Sequence, residues 1–87
     1  MVRLDKFLKI SRIIKRRTLA KEVCDSGRAK VNERLAKPGT DVKPGDILDL
    51  DFGAKRIKVE ILDTPENVRA YQAKEIYKVL EEIRIIQ

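Results

Sequence analysis

The chain has 87 residues, with 20 Lys or Arg against 14 Asp or Glu for a formal net charge of +6, so it can hold one compact domain around one modest core. Two Phe and two Tyr are its only aromatic residues, which leaves aliphatic side chains to fill that core and offers no platform for stacking unpaired bases. It contains no histidine and a single cysteine, Cys24, which removes the commonest general base and metal ligand and excludes an intrachain disulfide or a cysteine zinc cluster.

In chain order, Leu4, Phe7 and Leu8 recur at the i, i+3, i+4 spacing of an amphipathic helix. Asp5, Lys6 and Lys9 fall on its wet face and Arg3 at the margin of the stripe. Ile10, Ile13 and Ile14 can anchor the connection that follows, with Ser11 a candidate N-cap, and the sequence leaves open whether the helix breaks or bends there. A second helix carries the stripe Leu19, Ala20, Val23 and Cys24, and Ser26-Gly27 supplies its C-terminal stop. Arg17 and Lys21, four residues apart, share one flank of it, and Arg28 follows just after its end. These cations are expected to converge on one side.

From Arg28 the period becomes two. Ala29 and Val31 alternate with Arg28, Lys30 and Asn32, Asn32-Glu33 reads as a turn, and Leu35-Ala36 as a short return strand. The Pro-Gly pairs at 38–39 and 44–45 mark further turns. Leu48, Leu50 and Phe52 alternate with Asp49 and Asp51; a hairpin at Gly53-Ala54-Lys55 then leads into Ile57, Val59 and Ile61, alternating with Lys58 and Glu60. Asp63 or Thr64 as N-cap, Pro65 at the first helical position, and Ile76, Val79, Leu80 and Ile83 at helical spacing predict a C-terminal helix. The expected architecture is α+β: two N-terminal helices packed on a small, mostly antiparallel sheet, plus a C-terminal helix. Residues 1–62 would form the sheet-bearing domain and 63–87 a helical segment of the same compact unit.

Charge is divided unevenly along this chain. Residues 1–37 hold twelve Lys or Arg against four acids, whereas residues 38–87 hold eight against ten. Between Arg3 and Arg17 seven cations face one acid; a surface that is merely soluble mixes its signs. Such a cluster suits a polyanion, because each cation placed near a phosphate releases condensed counterions. For catalysis there is little: Asp49 with Asp51 and Glu81 with Glu82 fit solvated faces, Cys24 lies on an apolar stripe without a histidine to activate it, and there is no glycine-rich phosphate loop. A non-enzymatic protein without metal, cofactor or small-molecule substrate is expected. No apolar run is long enough to span a bilayer and no signal-peptide pattern opens the chain, so a cytoplasmic location is expected too. A membrane-surface role is disfavoured, since Leu4, Phe7 and Leu8 are needed for the core.

The string RLDKFLKISRIIKRRTLAKEVCDSGRAKVN, continuing through KPGTDVKPGDILDL, resembles the S-four domain, an RNA-binding module named for a small-subunit ribosomal protein. The matching features are Arg3-Leu4-Asp5-Lys6-Phe7-Leu8, Lys15-Arg16-Arg17-Thr18-Leu19-Ala20, Gly27-Arg28 into Val31-Asn32, and Val42-Lys43-Pro44-Gly45-Asp46. They cover roughly residues 3 to 53. The resemblance implies two helices on a small sheet presenting a basic face to structured RNA. The chain is most similar to free-standing members that act in ribosome quality control. That implies binding a large ribosomal subunit that still carries an obstructed peptidyl-tRNA, between the tRNA and large-subunit rRNA, in support of the Rqc H protein as it adds an alanine tail to the stalled peptide. Heat-shock S-four proteins rescuing stalled subunits, and general structured-RNA accessory proteins, are the alternatives; the net acidic C-terminal half speaks for the first assignment. Glu33 departs from the family pattern, which has Gly after the Asn, and argues against a tight primed turn.

Charge and resemblance together give a candidate RNA-binding set of Arg3, Asp5, Lys6, Lys9, Arg12, Lys15, Arg16, Arg17, Lys21 and Arg28. Arginine is favoured where a planar fork to phosphate helps. Asp5, the one acid among them, can either pair with a neighbour such as Arg17 to fix its side chain or accept hydrogen bonds from the RNA; pairing is the favoured reading.

Overall fold

The computed structural model describes residues 2–66 and 68–84. A short strand β1 (Val2–Arg3) runs directly into helix α1 (Leu4–Ile10), and a turn leads to helix α2 (Arg17–Asp25). Strands β2 (Ala29–Val31), β3 (Arg34–Leu35), β4 (Asp41–Val42), β5 (Ile47–Asp51) and β6 (Lys55–Ile61) follow, then a 3-10 helix (Ala70–Glu75) and strand β7 (Tyr77–Arg84). β1 pairs with β4, and the main sheet has the antiparallel order β3-β2-β5-β6-β7.

The strand alternation gives this sheet two unlike faces. One carries the cross-strand rows Ala29, Leu50, Ile57 and Val31, Leu48, Val59, Val79, and the other carries Lys30, Asp49, Lys58, Glu81. The first face joins Leu4, Phe7 and Leu8 of α1 and Ala20, Val23 and Cys24 of α2 in the buried core. Burying a side chain the size of Phe7 or Leu8 contributes about 1.5–3 kcal/mol, and Leu4, Phe7 and Leu8 are all fully buried. Leu19, expected in the α2 stripe, is instead 48% exposed; Ala20, Val23 and Cys24 form the buried stripe and leave it at the rim.

The helices separate cleanly at residues 11–16. Ser11 ends α1 rather than capping α2: its backbone N–H donates to Phe7 O, its buried hydroxyl donates to Leu8 O at 3.2 Å, and its oxygen accepts from Ile13 N at 3.4 Å. Arg12 then takes a left-handed backbone, φ +59°, and Ile14 N returns to Leu8 O. The Asn32-Glu33 turn is also a correction. Val31 pairs with Arg34, so the loop has two residues, and both have positive φ, +51° and +70°. It is the tight primed turn that Glu33 argued against.

Among the described residues the expected C-terminal α-helix is absent. Residues 77–84 form β7, the long outer strand of the sheet, paired with β6 from Ile61↔Tyr77 to Lys55↔Arg84. Among the described residues Pro65 opens no helix, and Asp63 Oδ1 accepts from the next backbone N–H, of Thr64, at 2.8 Å. A bulge explains the misleading spacing. Val59 pairs with Val79 but Lys58 with Glu81, which leaves Leu80 as an extra residue. The alternation shifts phase there, so Ile76, Val79, Leu80 and Ile83 fall at helical intervals along an extended strand.

Candidate nucleic-acid interface

The basic N-terminal half is arranged around Asp5. This residue is 3% exposed, held in the first turn of α1 by the packing of Leu4, Phe7 and Leu8 on either side of it. A carboxylate removed from water to that extent needs charge or hydrogen-bond partners. Asp5 Oδ1 accepts from Lys6 N at 2.9 Å and from Arg3 Nε at 3.2 Å, and Oδ2 accepts from Arg3 Nη2 at 3.4 Å. Arg17 Nε, from the first residue of α2, lies 3.5 Å from Oδ2. The acid therefore ties β1, α1 and α2 together, and the pairing with Arg17 is the one favoured from sequence.

Both guanidiniums remain available to a ligand. The Arg3 and Arg17 side chains are 55% and 52% exposed, against 4% for the Asp5 side chain, so each is held on one edge and turns its remaining N–H donors to solvent. Holding them in place removes rotamer entropy that binding would otherwise cost. Lys9, Lys15, Arg16 and Lys21 are exposed on the same two helices and the turn between them, and Lys6 is half-buried. Arg16 immediately precedes α2, and Lys21 lies one turn along from Arg17.

Two members of the expected set lie apart from this cluster. Arg12, on its left-handed turn, lines a groove with Ile13, Phe52, Tyr77 and Val79, where Lys55 and Glu82 pair at 3.3 Å. Arg28 precedes Ala29 and lines the opposite face of the sheet with Lys30, Asp49, Asp51, Arg56 and Lys58. That face mixes its signs, with Lys58–Asp49 at 3.9 Å and Arg56–Asp51 at 3.7 Å.

A neighbour absent from the expected set is the turn at residues 37–40. Leu4 N donates to Thr40 O at 2.8 Å and Asp5 N to Pro38 O at 3.1 Å, which places this turn against the start of α1. Only the repeated Pro-Gly pattern marked it in the sequence, and that signal says turn without saying where the turn packs. Cys24 is buried behind the cluster; burial, with the nearby Asp5 and Asp25 carboxylates, pushes its thiol up from 9.0 to about 11, so it stays protonated and unreactive at neutral pH. Among the described residues no group of three His, Cys, Asp or Glu could hold a metal ion, and no helix is long and apolar enough to cross a membrane.

The chain is similar to proteins that are already known. Residues 2–48 match the S4 domain family. Over 93% of its length the chain is 57% identical to an RQC P-site tRNA stabilizing factor of Halalkalibacterium halodurans, covering 92% of that protein. The Bacillus subtilis protein of the same name is 48% identical over 97% of this chain and 98% of its own. Among solved structures, the trimeric Heat Shock Protein 15 of Vibrio cholerae superposes with a TM-score of 0.82 at 32% identity, covering 90% of this chain and 80% of that one. The chain belongs to the S4-domain family and, within it, to the RQC P-site tRNA stabilizing factors.

Proposed function

We propose that this chain is a non-enzymatic RNA-binding factor of ribosome quality control, which binds the large ribosomal subunit carrying an obstructed peptidyl-tRNA. Its basic face would contact large-subunit rRNA and the tRNA together and hold the tRNA while the Rqc H protein extends the stalled peptide with alanine. The relatives' name, which states that they stabilise a P-site tRNA in quality control, supports the tRNA partner.

One observation carries the reading: a buried carboxylate on α1 fixes two half-exposed guanidiniums, one from strand β1 and one from helix α2. Paired in this way, Arg3 and Arg17 form a rigid double fork for phosphate and ribose oxygens. Such contacts position a protein without reading sequence, and double-helical RNA is recognised chiefly by shape, backbone and 2′-hydroxyls. Specificity then comes from how rRNA and tRNA are arranged around the domain.

The test is gradient sedimentation of the tagged protein from cells with arrested translation, followed by identification of the RNA that travels with it. The parent chain is expected with free large subunits bearing peptidyl-tRNA, and Arg17→Ala is expected to leave that fraction with its melting temperature nearly unchanged. Equal co-sedimentation of Arg17→Ala and parent at near-physiological salt would refute the role of the fork. The likeness to Heat Shock Protein 15 supports a second reading, rescue of stalled large subunits without alanine tailing; unaltered tail synthesis in cells lacking this chain would favour it.

A further inference from the structure

We infer that the turn at residues 37–40 is a second wall of the RNA site, with Lys37 making a phosphate contact and Gly39 keeping one side of the Arg3 guanidinium clear for the ligand. This rests on the RNA-binding reading above and extends the site beyond the two helices.

The turn is built to hold its shape. Thr40 N donates to Lys37 O at 3.0 Å, and Lys37 N donates back to Thr40 Oγ1 at 2.9 Å. It is also fixed to the site: Pro38 is buried, Pro38 O and Thr40 O accept from the first backbone N–H groups of α1, and β1 pairs with β4 through Arg3↔Asp41 and Val2↔Val42. The wall therefore cannot move independently of Arg3 and Asp5.

Gly39 is placed where a side chain would matter. A Cβ there would lie 3.9 Å from Arg3 Nη2, and its backbone φ is not in the left-handed region. The backbone therefore does not demand glycine, and a longer side chain there would start in contact with the guanidinium, beside the nitrogen that donates to Asp5 Oδ2. Lys37 is exposed, enters no ion pair among the described residues, and lies two residues from Gly39, at most about 7 Å along the chain. Asp41, exposed opposite Arg3 in the β1–β4 ladder, makes no ion pair with it, because Arg3 is turned onto Asp5. An ammonium in no ion pair among the described residues, on the turn that borders a pre-oriented guanidinium, is suited to a second phosphate along a backbone.

The experiment measures affinity of the full chain for purified large subunits carrying peptidyl-tRNA across a salt series. Lys37→Ala is expected to lower affinity about three- to tenfold and to make the slope of log K against log salt shallower by about 1. Lys37→Arg should keep both values, Lys30→Ala on the opposite sheet face should change neither, and Gly39→Gln should weaken binding at an unchanged melting temperature. Parental affinity and slope for Lys37→Ala alongside impaired binding by Arg17→Ala would overturn the inference while leaving the RNA face in place. Parental binding by both variants would overturn the RNA-binding reading and this inference with it.

Discussion

Asp5 and Glu33 show two ways in which one residue commits a segment of this chain. Asp5 gives up its hydration and in return fixes Arg3 and Arg17, so its contribution lies in what it holds in place. Glu33 holds a left-handed backbone at φ +70° that a residue with a Cβ adopts at a cost of about 1 kcal/mol. Its neighbour Asn32 keeps it there: Nδ2 donates to the buried Asp46 Oδ1 at 3.1 Å, Oδ1 accepts from Ile47 N at 3.0 Å, and Asp46 Oδ2 accepts from Lys43 N at 3.0 Å. Replacing Glu33→Gly removes the Cβ penalty, offset in part by the freer unfolded chain. Urea unfolding is expected to show a gain of about 0.5–1 kcal/mol, with RNA affinity unchanged because Glu33 lies with Arg28 and Lys30 on the mixed-sign face. A variant no more stable than the parent would mean that the turn carries no strain.

At the level of elements, the parts legible in the sequence were those with an undisturbed period. Leu4, Phe7 and Leu8 announced α1; Leu48 with Leu50, and Val59 with Ile61, announced β5 and β6, because a regular element repeats its buried position. β7 was not legible, since the single extra residue Leu80 changes the period within the strand and only the partner strand reveals it. The Asp5 cluster was half legible: charge and family pattern pointed to the residues, but the expected convergence of Arg28 with Arg17 and Lys21 does not occur, because Arg28 follows the strand alternation and lines the outer sheet face with Lys30. As the long outer strand, β7 is part of the sheet and not an appended segment. Ending the chain after Ile76 uncovers the flanks of Val59 and Ile61, both fully buried. At about 1.5–3 kcal/mol per side chain that loss approaches the stability of a domain this small. Its thermal midpoint, followed by far-UV circular dichroism, is expected to fall by more than about 10 °C; an unchanged midpoint would mean that β7 adds nothing to the fold.

Across the whole molecule, charge and shape divide the surface between two tasks. The outer sheet face carries cations and anions in cross-strand register, Lys58 with Asp49 and Arg56 with Asp51, so its far field largely cancels. The helical side is less compensated: its buried acid is already shared by Arg3 and Arg17, the exposed Glu22 and Asp25 of α2 enter no ion pair among the described residues, and Lys9, Lys15, Arg16 and Lys21 outnumber them there. The net charge of +6 thus acts as a directed field and not as a uniform one. Directed cations on a polyanion leave a thermodynamic signature in the release of counterions. If about five of them reach phosphates, log K for the stalled subunit should fall with log salt at a slope of about −4, which is two to three decades between roughly 50 and 200 mM. Charge reversal at one exposed cation of the helical side, Lys21→Glu, should make that slope shallower, whereas Lys58→Glu on the compensated face should leave it in place. A parent slope near zero would assign the affinity to uncharged contacts and leave the asymmetry of this surface without a partner.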